Sequence, residues 1–135
     1  GWRAAGKDVE AHALLEAFAE GNGQLLGSTT PTRGTGAGVT EECAYDTNTA
    51  NVVTDCPVQW DGGNFAAAAT DRVTHFNSTS GQVSYDVTAD VKAGVDGWLL
   101  KRAVENGSGG VSYYSREGAA AEGDPNLAPK LVLDY

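Results

Sequence analysis

The stretch QVSYDV at 82–87 alternates without a break. Val83, Tyr85 and Val87 face one way; Gln82, Ser84 and Asp86 face the other. A period of two over this length predicts a half-buried strand. In TADVKAG, which follows, Thr88 is placed to cap a short helical turn and Gly94 to stop it. GWLLKR at 97–102 is a further apolar run, with Trp98 and Leu100 on one face. ENGSGG at 105–110 is a turn signal. VSYYS (111–115) and KLVLDY (130–135) then read as closing strands, with Leu131, Leu133 and Tyr135 sharing a face. Between them lies a Pro-bearing elbow, GAAAEGDPNLAP.

Upstream the pattern is mixed. DVEAHALLEAFAE (8–20) favours a helix by propensity, with Gly21 as its stop. As a strand, its inner face is Val9, Ala11, Ala13 and Leu15, and the β-rich surroundings tip the reading that way. Residues 21–72 form one long loop insertion, with Trp60 and Phe65 as anchors. A loop of this length inside a domain is either functional or pinned. The architecture that fits is all-β, an antiparallel sandwich. Yet only about five alternating segments are available, where a two-sheet sandwich takes about seven. The chain therefore reads as part of a sandwich.

Composition adds limits. At 135 residues the chain is one domain's worth, and no run of 18 apolar residues is present to span a membrane. It starts at Gly1 and contains no Met, as a processed protein or a fragment would. A net charge of −9 without clustered Lys or Arg argues against nucleic acid as a partner. The 18 glycines suit a turn-rich β protein. Cys43 and Cys56 lie in one polar loop, without C-x-x-C spacing or a nearby His. A disulfide is expected, closing that loop in an oxidising compartment, rather than a metal or redox pair. Asn77 and Asn106 each open a glycosylation sequon.

The ordered series VSYDVTADV, GWLLKR, VSYYSREG and PKLVLDY resembles the C-terminal half of the DNRLRE domain family. In that family a strand ending in Asp-Val-Thr, here Asp86 to Thr88, precedes a helical turn. A strand ending in Ser-Arg-Glu, here Ser115, Arg116 and Glu117, precedes the last one. LLEAFAEGNG resembles the family's strand with an acidic turn, and GVTEECAYD to DCPVQWDGGNF the Cys-bearing loop of one subgroup. Relatives tend to have Trp-Asn where this chain has Glu41 and Glu42. The resemblance spans about 9–135 and lacks the family's N-terminal strands. It implies a jelly-roll-like β-sandwich of extracellular or cell-surface proteins, serving as a structural module or as a carbohydrate-binding module beside polysaccharide-degrading enzymes. It also places the last strand inside a sheet, with Arg116 and Glu117 holding the elbow against it.

Little catalytic chemistry is legible. His12 and His75 have no neighbouring nucleophile motif, and the carboxylates single out no pair. No enzyme activity is expected. DTNTAN echoes the start of a calcium loop but lacks its glycine and terminal glutamate. Asp46, Asn48 and Asp61 stand as a candidate calcium site, and no other cofactor is implied. Tyr45, Trp60 and Phe65 are candidates for stacking on sugar rings, or else anchors of the loop. A sandwich short of strands exposes edges and apolar core. The expected partner is a complementary polypeptide or a second copy supplying the strands, with a polysaccharide as the alternative.

Overall fold

The computed structural model describes residues 6–22, 34–77, 80–105 and 110–134. Its centre is a three-stranded antiparallel sheet of β1 (Lys7–Ala13), β2 (Asp71–His75) and β3 (Trp98–Arg102), in the order β2-β1-β3. The segment at 8–20 therefore resolves in favour of the strand. Val9, Ala11 and Ala13 are buried as expected. Directly opposed residues of an antiparallel pair share a face. Val9 stands against Val73 and Arg102, Ala11 against Asp71 and Leu100, and Ala13 against Trp98. Trp98 and Leu100 thus share a face with Val9, Ala11 and Ala13, as the alternation predicts, with Leu100 at the sheet's edge still 41% exposed.

Leu15 departs from its expected inner position and is 63% exposed. Pairing with β3 ends at Ala13, and the backbone turns off: Leu14 N–H donates to Gly97 O and Leu15 N–H to Asn64 O. A side chain at Gly97 would press on Leu14 and Phe18, so this position keeps the crossing close.

In the described part of the loop, 34–70 form no strand or helix apart from isolated bridges, and the loop ends sooner than expected. β2 begins at Asp71, inside the stretch assigned to the loop. A disulfide joins Cys43 to Cys56, and Cys43 is fully buried. An isolated bridge pairs Gly38 with Asp46. A Cβ on Gly38 would lie 2.7 Å from Gly21 Cα, so two backbones meet there. Ala66 and Thr70 donate their N–H groups to Ala13 O and Ala11 O, which seats the loop's end along β1.

Three predicted strands differ. In 82–87 the alternation survives as burial: Val83, Tyr85 and Val87 are half-buried while Gln82, Ser84 and Asp86 are exposed. No ladder forms there among the described residues, and side chains take the backbone donors at its end. Asp71 accepts from Asp86 N–H, and Asp86 from Thr88 N–H. All of 111–115 is exposed, and so is all of 130–134. Neither belongs to the sheet among the described residues. A strand exists only in a ladder, so alternation alone does not make one. Tyr135, expected to be packed, lies outside the described residues, as does most of the 105–110 turn.

The helical turn after 82–87 is α1 (Thr88–Lys92), and Gly94 beyond it has φ +84°. Thr88 is its first residue rather than its cap; no side chain caps from the N-cap position, Val87. The elbow is largely helical. Ser115 caps α2 (Arg116–Glu122) by accepting from Gly118 N–H, Gly123 ends it in the left-handed region, and a 3-10 helix (Pro125–Leu127) follows. Three consecutive alanines favour helix here. The antiparallel sheet and the disulfide-pinned loop are thus present, while a second sheet is not formed by the described residues.

Candidate functional site

Segment 82–87, α1 and Tyr113 are each tied to residues of the sheet's inner face: Asp86 N–H to Asp71, Asp90 to Trp98 and Tyr113 to His75. His75 of β2 is 3% exposed. Its Nδ1 lies 3.1 Å from Val73 O, which can only accept, so Nδ1 carries a proton. In the neutral ring Nε2 is then the acceptor for the Tyr113 hydroxyl, 2.8 Å away. The two rings meet edge to face, with centroids 5.8 Å apart. Tyr85 OH lies 3.1 Å from Tyr113 OH. Burial, then the bond to Tyr113, pushes the Tyr85 phenol well above the usual tyrosine range. The chain Tyr85–Tyr113–His75 thus pins two strand-patterned segments, 82–87 and 111–115, to one edge strand.

Beside it is an open hollow lined by Thr70, Asp71, Asp86, Thr88, Ala89 and Lys92. Hydrogen bonds from the Thr88 side chain and backbone hold Asp86 below the usual carboxylate range. Asp90 of α1 accepts from Thr70 Oγ1 at 2.6 Å and from Trp98 Nε1 at 2.8 Å. The carboxylates here serve as acceptors for the fold's own donors.

The outer face carries a second network. His12 Nδ1 donates to Ala66 O at 2.8 Å, and Nε2 faces Glu10 Oε2 at 3.3 Å. Arg72 binds Glu10 from β2. Burial pulls Glu10 upward, but the bonds from Arg72 and His12 outweigh it and hold the carboxyl below its ordinary value. Phe65 packs its ring edge-on to His12 at 5.2 Å, and Lys101 Nζ lies 5.2 Å from the Phe65 centroid.

The candidate stacking residues are dispersed. Phe65 anchors the loop on β1, and Trp60 Nε1 donates to Thr40 O within the loop. Tyr45 is exposed. No ring contact joins the three among the described residues. For the calcium candidates, Asp46 Oδ1 accepts from Asn48 N–H and Asn48 Oδ1 from Ala50 N–H, a run of Asx turns. Asp61 sits in a turn with φ +45°. No group of three or more His, Cys, Asp or Glu placed to share an ion occurs among the described residues.

Ser115 is a helix cap. Arg116 pairs with Glu117 at 2.8 Å and with Glu20 at 3.2 Å, tying the start of α2 to the acidic turn after β1. Tyr85, Tyr113 and His75 were not singled out together by sequence. Their one shared signal is that both tyrosines fall on alternating positions of predicted strands. The chain matches no protein-family description, no curated protein and no solved structure.

Proposed function

We propose that this chain is a non-catalytic structural module of an extracellular or cell-surface assembly, a jelly-roll-like sandwich of the DNRLRE kind. Strands from a partner chain or a neighbouring copy complete it. The observation that carries the reading is the state of 111–115 and 130–134. Both have strand patterning, and both leave large apolar side chains in water: Val111 and Tyr113, Leu131 and Leu133. Fully burying such a side chain from water is worth roughly 1.5–3 kcal/mol, and these four, at 36%, 42%, 54% and 47% exposed, stand to gain a part of that each. A domain's whole stability is about 5–15 kcal/mol, so several uncovered ones decide whether it folds. Both outer strands of the sheet, β2 and β3, offer an edge among the described residues.

The disulfide supports an oxidising compartment. No helix among the described residues is long and apolar enough to cross a membrane. The carbohydrate-binding alternative has less to stand on, since Trp60 is bonded within the loop and Phe65 is packed on His12 of β1. The test is thermal unfolding of the chain alone at low concentration, with sedimentation. A broad, non-cooperative transition is expected. A sharp transition from a lone monomer overturns the reading.

A further inference from the structure

We propose that the completing strand comes from a different, cationic polypeptide, seated on the run 130–134, and not from a second copy of this chain. The inference rests on the reading under Proposed function and names its partner. Leu131 is 54% exposed, Val132 73% and Leu133 47%. In a strand consecutive residues point to opposite faces, so a strand formed here would have both faces uncovered. No backbone hydrogen bond joins 130–134 to another described residue. Such a run is a template for strand addition, where the backbone supplies the pairing and alternate side chains the fit.

Charge decides the occupant. Two copies would bring together two chains of net charge −9 each, and a charge this far from zero opposes self-association. The local sign is the same. Glu122 and Asp124 precede the run and Asp134 ends it. None of the three takes part in the ion pairs formed among the described residues. Arg116, the nearest upstream cation, is committed to Glu20 and Glu117. Lys130 is the only basic residue after Arg116, and it donates to Asn126 Oδ1. Asp124 also caps the 3-10 helix by accepting from Asn126 N–H, which leaves Glu122 and Asp134, among the described residues, as the uncommitted carboxylates flanking the run in sequence. A strand with alternating apolar residues and flanking Lys or Arg covers the leucines and matches this negative charge.

The experiment uses two synthetic peptides with one shared Val-Thr alternation, flanked by lysines or by glutamates. Each is titrated into the chain at low and high salt, with amide exchange followed at 130–134 and sedimentation of the chain alone. The lysine peptide is expected to bind at least about tenfold more tightly, to weaken with salt, and to protect the amides of Leu131 to Asp134. The chain alone forms no defined oligomer. Leu131→Asp with Leu133→Asp abolishes binding. Glu122→Lys with Asp134→Lys, which changes only exposed positions, removes the preference while leaving the apolar run intact. A defined dimer that protects the same amides assigns the place to a second copy and overturns the proposal. Equal binding of both peptides overturns the charge assignment and leaves strand completion standing. If neither peptide protects these amides, strand completion at this run falls as well.

Discussion

The Tyr113 hydroxyl lies 2.8 Å from Nε2 of the buried His75, across 38 positions of sequence. This contact joins an exposed, unladdered segment to the edge of the sheet. Removing one partner of a buried hydrogen bond costs about 1 kcal/mol, more when the other is left unsatisfied. Tyr113→Phe is expected to speed amide exchange in 111–115 and β2 by about fivefold to tenfold, since 1.36 kcal/mol is tenfold. Local exchange is the right reading because it does not require two-state unfolding. Unchanged rates refute the pinning role.

The disulfide closes a loop of 13 positions. On chain-entropy grounds a loop of this size is constrained by about 3 kcal/mol. Cys43→Ser with Cys56→Ser is expected to raise exchange throughout 34–70 by more than a hundredfold and to leave β3 less affected. Alkylation of the unreduced protein, read by intact mass, is expected to label no thiol. Two labelled thiols overturn this.

Glu10 links acid sensitivity to the β1–β2 pair. Its folded pKa lies below its unfolded one because Arg72 and His12 bind the carboxylate against the opposing pull of burial. A group depressed in the fold contributes stability that is present above the unfolded value, near 4.3, and lost as pH falls through the folded value. Protection of β1 and β2 amides, corrected for intrinsic rates, is therefore expected to fall as pH drops below about 4. Glu10→Gln flattens that fall. An identical pH dependence in the variant refutes the assignment.

Gly38 admits no side chain at its closest approach, since a Cβ would lie 2.7 Å from Gly21 backbone. Backbone cannot rotate away as a side-chain tip can. Gly38→Ala is expected to cost about 1–3 kcal/mol, seen as loss of the Gly38–Asp46 bridge and faster exchange at Asp46. Gly36→Ala is not an equivalent control, because its φ of +77° penalises any side chain. Asn22→Ala, which removes only exposed bonds to Thr35, is the suitable one.

Local pattern alone determined a good part of this protein. Val9, Ala11 and Ala13 declare an inner face because a strand's side chains alternate, whatever it pairs with. Ser115, three alanines and Gly123 spell a capped helix, a signal that the elbow reading passed over because the flanking alternation outweighed it. The cysteines declare their pairing because they share one polar loop. Partnership is different. Whether Val83, Tyr85 and Val87 become a strand depends on whether a distant segment comes alongside to pair with it, and here Asp71 takes the Asp86 N–H instead. His75 finds Tyr113, Arg72 finds Glu10, and Phe65 finds His12 only once β1, β2 and β3 stand side by side. Those contacts join residues 38 to 62 positions apart, and alternation carries no information about which distant strand it will meet. Only the folded sheet decides that, because hydrogen-bond ladders are satisfied between segments and not within them.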